Sequence, residues 1–176
     1  MYKVKQLHSS DLHDHMLDSF ERKQITTNVW VVESNDFIEM KDRFEDDWTI
    51  ERKREIVDHF KSTIARGGSV IVAEQDMNVY GFAVIEAETF GEFSAYRELS
   101  YIHVSLPFRG KGIGRKLFIK AQEVAKQLGV DKLYIGAHPS VETQEFYRRM
   151  GCVIAEEIYH EIYERETRDI QLEITL

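Results

Sequence analysis

The chain of 176 residues contains one cysteine, Cys152, and only two prolines. A lone cysteine cannot form an internal disulfide, and its presence suits a reducing, cytoplasmic compartment. Gly151 and Val153-Ile154 flank it, and no cation or histidine adjoins it, so it reads as a small buried thiol rather than a nucleophile. Long apolar runs are missing as well: residues 1–7 carry none, and neither a signal peptide nor a membrane anchor is expected. No repeat, low-complexity stretch or Pro/Gly/Ser-rich linker divides the chain, and its length suits one domain, 1–176, with a sizeable core. An excess of positive charge is also absent. Lys and Arg total 23 against 31 Asp and Glu, a formal net charge of -8, which argues against general binding of nucleic acid or an anionic membrane.

On this acidic background one segment stands apart. Arg109, Lys111, Arg115 and Lys116 fall within eight positions and interleave with Gly110, Gly112 and Gly114. A predicted strand over residues 99–104 feeds the segment and a strongly helical stretch leaves it. Glycines let the backbone curl so that several N–H groups point at one spot. The helix N-terminus that follows adds free N–H groups and partial positive charge. The expected product is a pocket for a phosphate or pyrophosphate, and a small anionic ligand explains it better than a polyanion.

The rest of the chain reads as helices packed on a mixed sheet. A short strand is expected at residues 2–7, then a helix capped by Ser10 or Asp11 and running to about Phe20, with Leu12, Met16 and Phe20 in line. Residues 24–48 are the least readable: 29–32 look strand-like and 42–47 look like an acidic loop. Thr49 opens a helix with Ile50, Ile56-Val57, Phe60 and Ile64 along one side, stopped at Gly67-Gly68. A hairpin follows, 69–73 and 79–85, turning around Asp76-Met77-Asn78. Beyond the glycine loop, Ile113, Leu117, Ala121, Val124 and Leu128 mark a helix face that ends at Gly129. A short strand lies at 133–136, and a helix begins at Ser140 and closes at Gly151. The last residues alternate, Ile170, Leu172 and Ile174 against Gln171, Glu173 and Thr175, as a half-buried strand that pairs within the chain or across a homodimer.

Three kinds of phosphate loop compete for the glycine segment. A Walker loop needs Gly-Lys followed by Ser or Thr; Gly110-Lys111-Gly112 is followed by Ile113, so no hydroxyl is available to a metal. A dinucleotide fingerprint needs Gly-x-Gly-x-x-Gly and an acid about 20 residues on, at a strand end. The final glycine is misplaced for it, and Asp131 precedes its strand. The third is an acyl-CoA loop: Arg or Gln, two residues, Gly, one residue, then Gly or Ala, between a strand and a helix. Arg109-Gly110-Lys111-Gly112-Ile113-Gly114 fits without a gap. The segment from Ser140 to Cys152, with Phe146-Tyr147 and Gly151, is similar to the second motif that accompanies such a loop. On these two motifs the chain resembles the GNAT N-acetyltransferase superfamily, best over residues 69–153.

The resemblance implies an α+β fold, with a mixed, largely antiparallel sheet between helices in three layers, α/β/α. It implies acetyl-CoA as the acyl donor, with the pantetheine arm along the backbone of Ile102, His103 and Val104. The pyrophosphate is expected on the amides of Gly110, Lys111, Gly112, Ile113, Gly114 and Arg115. Lys111 and Arg115 either add charge or are solvated, and Arg109 serves the loop's shape as much as the ligand. Ser140 stands where the family typically has Asn; it either contacts the cofactor or caps its helix. Tyr147 matches the family's frequent general acid, with packing at the helix–sheet seam as the alternative. The base that neutralises the acceptor is sought among Glu98, Glu86 and His103, in that order, because the strand at 133–136 lacks the glutamate some members place there. No metal is implied, since His13 and His15, two apart on a helix, face apart.

The implied activity is direct acetyl transfer to a primary amine of a small molecule or protein. A non-catalytic acyl-CoA-binding sensor is the alternative, and a nicotinamide-dependent oxidoreductase a distant third. The acceptor is expected to be set by residues 24–48 and 86–97.

Overall fold

A computed structural model describes all 176 residues. Seven strands form the main sheet: β1 (Lys3–Gln6), β4 (Ser69–Gln75), β5 (Asn78–Ile85), β6 (Tyr96–Val104), β7 (Lys132–Ala137), β9 (Ile170–Thr175) and β8 (Val153–Ile154), in that spatial order. Every neighbouring pair is antiparallel except β6 with β7. Two further strands, β2 (Gln24–Glu33) and β3 (Asp36–Asp46), make a separate ribbon. Four helices complete the chain: α1 (Ile50–Ala65), α2 (Ile113–Gln127), α3 (Val141–Arg149) and the short α4 (His160–Tyr163).

Three layers follow from the strand sequences. In β4 and β5 the apolar run is continuous, as in strands covered on both faces. Val70, Val72, Phe82 and Val84 turn toward Ile56, Val57 and Phe60 of α1, while Ile71, Ala73, Ala83 and Ile85 turn toward Leu117, Phe118 and Ala121 of α2. Phe82 is fully buried, with its ring 5.1 Å from Phe60 and 5.3 Å from Phe20. Thr49 caps α1 by accepting from the Arg52 amide at 3.1 Å, and Gly67, at φ +96°, ends it.

Three expectations change. Residues 9–20 form a 3-10 turn at Ser9–Asp11 and successive tight turns, not a helix. Asp11 accepts from the His8 amide at 2.8 Å, which closes the first turn, and Leu12 is extended. Asp18 is held to α1, with Arg54 donating to its carboxylate at 3.1 Å and Lys53 to its carbonyl at 3.2 Å. Met16, Leu17 and Phe20 still reach the core. The acidic stretch 42–47 belongs largely to β3, an eleven-residue strand paired from Asp36 to Asp46 with β2. Ser34 and Asn35, at φ +49° and +67°, supply the type I′ turn that such a ribbon needs.

The last strand is not half-exposed. β9 lies between β7 and β8 within the chain, and Gln171 and Glu173 are as buried as Leu172. Tyr134 donates to Gln171 at 2.8 Å, Tyr96 donates to Glu173, and Lys132 donates to Glu173 at 2.7 Å. Buried polar side chains are thereby satisfied on the face covered by Ala155 and Ile162. No helix is long and apolar enough to cross a membrane.

Candidate active site

β6 and β7 run parallel for only three residue pairs, Tyr96–Lys132, Arg97–Leu133 and Glu98–Tyr134, and then separate. The cause lies on the other edge of β6. Val84 faces Tyr101 and Ile85 faces Leu99, so Ser100 is the extra residue of a β-bulge, which bends the strand away from β7. The backbone of residues 99–104 is left without a strand on that side. A cavity of about 1120 Å³ fills the gap, and the walls include Leu99 to Val104, Gly110, Gly112 to Arg115, Phe146 and Tyr147.

At its mouth the glycine loop turns on two left-handed residues. Gly110 and Gly112 have φ of +73° and +80°, and Gly112 is the residue before α2. A Cβ at either would meet no atom within 4 Å, so the backbone angle and not crowding requires glycine there. Gly114 is different, being in the first turn of α2 with its α-carbon facing Phe146. The amides of Ile113 to Arg115 head the helix, where an anion is favoured.

The loop cations divide. Arg109 is a clamp, donating to the carbonyls of Val104 at 2.8 Å, Lys23 at 2.7 Å and Arg22 at 2.7 Å. Lys111 donates to the Pro107 carbonyl at 3.0 Å and lies over Phe108, and it does not line the cavity. Lys116 lies over the Tyr2 ring, 4.9 Å from its centre. Arg115 lines the cavity. A cation that sequence reading overlooked joins it: Arg22, 5% exposed, lines the cavity beside His103 and has a buried Nε with no partner. Its neighbours Glu21 and Lys23 gave no sign that a charged run would turn inward.

His103 stacks edge-on to Trp48 at 5.0 Å. Burial, reinforced by Arg22 and Arg109, drives its pKa well below the ordinary value, so its imidazole is neutral. Tyr147 is buried, with its ring against Phe118 and Phe146. Burial raises its pKa strongly, which keeps the phenol protonated. Ser140 is fully buried and absent from the cavity wall; its Oγ accepts from the Thr143 amide at 3.3 Å and from Gln24 Nε2 at 3.1 Å. The structure thus gives it a capping place. Cys152 is also buried, which pushes its thiol up to about 12.

On the opposite side of the split lies a second cavity of about 750 Å³. Six carboxylates line it, Glu86, Glu88, Glu98, Glu161, Glu166 and Asp169, against Arg52, Arg165 and His59. Glu98 belongs to this wall only, and its two oxygens accept from Arg165 at 2.7 and 2.8 Å. The two cavities share Ser100, Tyr101, Glu166 and Asp169.

A left-handed glycine loop at a helix head beside an opened sheet, on this strand order, defines an acyltransferase of the GNAT type. A model of the Acetyltransferase (GNAT) family matches residues 13–152, and the chain belongs to that family of N-acetyltransferases. It is 33% identical over 107 residues to an uncharacterised N-acetyltransferase of Archaeoglobus fulgidus, spanning 58% of this chain and 72% of that protein. Its fold is similar to that of a nourseothricin acetyltransferase, with a TM-score of 0.69, 17% identity and coverage of 99% and 98%. It is also similar to that of a streptothricin acetyltransferase, so described, from Bacillus anthracis in complex with acetyl coenzyme A, with a TM-score of 0.66, 16% identity and coverage of 99% and 97%.

Proposed function

We propose that the whole chain works as one acetyltransferase domain, which takes the acetyl group of acetyl-CoA in the larger cavity and passes it to a primary amine in the smaller one. The observation that carries this reading is the meeting of the two cavities at the β6–β7 split, with Tyr147 on the donor side. Residues present suit the donor. The left-handed Gly110 and Gly112 and the head of α2 fit a pyrophosphate, Arg115 and Arg22, whose Nε has no partner, add positive charge, and the free edge at Ile102 to Val104 fits an extended amide-bearing arm, paired as an added strand.

Acetyl-CoA supplies an activated thioester. Tyr147, protonated throughout the working range, donates its proton to the departing sulfur. The acidic wall of the smaller cavity favours a cationic acceptor and raises its local concentration. Glu98, in its bidentate pair with Arg165, holds that wall rather than offering a free oxygen.

The test is a thermal shift with acetyl-CoA and CoA, followed by free-thiol release with a panel of primary amines. Stabilisation of about 2.7 kcal/mol is expected at one hundred times the dissociation constant, with CoA released by at least one amine. Absence of both would end this reading. Binding without release from any amine would replace it with the non-catalytic sensor.

A further inference from the structure

We propose that Asp169, which stands where the two cavities meet, is the general base that takes a proton from the acceptor ammonium. The inference rests on the acetyltransferase reading above and goes beyond it by naming the residue that starts the reaction.

The carboxylates around the smaller cavity differ in one respect. Glu98 accepts two hydrogen bonds from Arg165. Glu86 accepts from His59, Thr63 and Ser100. Glu166 accepts from Arg168, Glu88 from Arg66 and Glu161 from Tyr159. The Asp169 carboxylate accepts none, although its backbone is fixed: its amide donates to the Glu166 carbonyl at 3.0 Å, and its carbonyl accepts from Gln171 at 3.4 Å. Both of its lone-pair-bearing oxygens are therefore free to meet a ligand.

Its position is the second argument. Asp169 lies just before β9 and faces β7, where Gly136 pairs with Gln171. A Cβ on Gly136 would stand 3.2 Å from Ile162 Cγ2 and 3.9 Å from Asp169 Oδ2. The missing side chain leaves open the wall that the carboxylate borders, and Gly136 itself lines the donor cavity. Asp169 is also near enough to Tyr147 for its charge to raise the phenol's pKa. A proton acceptor and a proton donor thus flank the place where donor and acceptor meet.

The surroundings favour a base that works near neutrality. Burial, with Glu166 and Asp46 adding to it and Arg168 and Arg165 opposing it, raises the Asp169 pKa from 3.8 to about 7. Glu166, Arg168 and Arg165 face it from its own loop, Asp46 from β3 and Tyr147 from α3.

The chemistry balances. Asp169 takes one proton from the ammonium, and the freed lone pair forms the C–N bond at the thioester carbonyl as the C–S bond breaks. Tyr147 protonates the sulfur, which leaves with the bonding pair, and recovers a proton through water from the new amide nitrogen. Asp169 returns its proton to solvent, so each turnover releases one.

Asp169→Asn and Asp169→Ser are to be compared with the wild type on a panel of strongly basic alkylamines and on hydroxylamine, which is already neutral at the assay pH. Wild-type rates on alkylamines should rise with pH to a plateau through about 7. Each variant should lose about 100-fold in kcat on alkylamines, lose that limb, keep the KM for acetyl-CoA and stay near wild type on hydroxylamine. Unchanged kcat and limb, or equal losses on both nucleophiles, would overturn the assignment of Asp169 and leave the acetyltransferase reading intact. A wild type that releases CoA to neither nucleophile would overturn both, and one active only on hydroxylamine would overturn the base. If neither variant folds, carbon NMR of aspartate-labelled wild type decides: titration of Asp169 near neutrality supports the proposal, and titration in the ordinary carboxylate range overturns it.

Discussion

Gln24 Nε2 donates to Ser140 Oγ across 3.1 Å and joins the first residue of the β2–β3 ribbon to the cap of α3. The same oxygen accepts from the Thr143 amide, and the Ser140 hydroxyl donates to Thr143 Oγ1 at 2.8 Å. Its hydrogen-bonding capacity is therefore engaged within the protein. Ser140→Ala should lower stability by about 1 kcal/mol, the usual loss of an N-cap hydroxyl, and leave acetyl-CoA affinity as it was. Denaturant melts and calorimetric titration with acetyl-CoA check the two halves separately; a tenfold loss of affinity at unchanged stability would return Ser140 to the ligand.

Gly112 makes the opposite case. Its φ of +80° is left-handed, and a Cβ there would meet open space. Gly112→Ala should cost about 1–2 kcal/mol of stability, the penalty of an L-residue in that region. The added methyl would also stand at the head of α2, where the phosphates are proposed to lie, so the loss of acetyl-CoA affinity should exceed tenfold. Thermal melts with and without acetyl-CoA measure both. A variant destabilised to this extent that keeps full affinity would remove Gly112 from the donor site.

The contrast between these residues shows what was legible in the sequence. The glycine loop could be read because glycine at Gly110 and Gly112 answers a local backbone demand, and local demands are written at the residue concerned. The hairpin of β4 and β5, buried on both faces, could be read from its apolar runs and the turn between them. The β2–β3 ribbon could not: β3 is exposed along most of its length, so no buried face imposes a period, and Ser34-Asn35 is an uncommon pair for a type I′ turn. Gln171 and Glu173 alternate as a solvent face would, yet Tyr134, Tyr96 and Lys132, distant in sequence, bury and satisfy them. Arg22 and Asp169 escaped for the same reason, because what matters about each is its place on a cavity wall, set by residues distant in sequence. Glu98 heads the candidate bases in the sequence, where nothing signals that Arg165, 67 residues further along the chain, engages both of its oxygens.

Tyr147 is buried and packed on two phenylalanines, and its hydroxyl has no hydrogen-bond partner within the protein. Tyr147→Phe should therefore change stability by less than 1 kcal/mol, while removing the proton that the leaving sulfur needs. We expect kcat to fall about 100-fold with little change in the KM for acetyl-CoA. Because burial raises its pKa, Tyr147 should also contribute no alkaline limb to the wild-type rate profile below its ordinary value of 10.0. Steady-state kinetics across pH check this, and an unchanged kcat in Tyr147→Phe would leave the residue a packing role only.

Glu86 ties the acceptor side to the acid stability of the fold. It is 8% exposed, and burial alone would raise its pKa. Hydrogen bonds donated by His59 at 2.6 Å, by Ser100 and by Thr63 at 3.3 Å outweigh that effect and lower it below 4.5. The folded protein then holds this proton less tightly than the unfolded chain does. The resulting stabilisation is fully present above the unfolded value of about 4.5 and is lost as the pH falls through the lower folded value. Glu86→Gln should cost about 1.5–3 kcal/mol at pH 7, as expected for hydrogen bonds to a charged group, and the gap between variant and wild type should narrow in acid. Denaturant melts from pH 7 to pH 3 measure it. A gap that stayed constant over that range would mean that the carboxylate's charge does not support the fold, and that Glu86 contributes through packing alone.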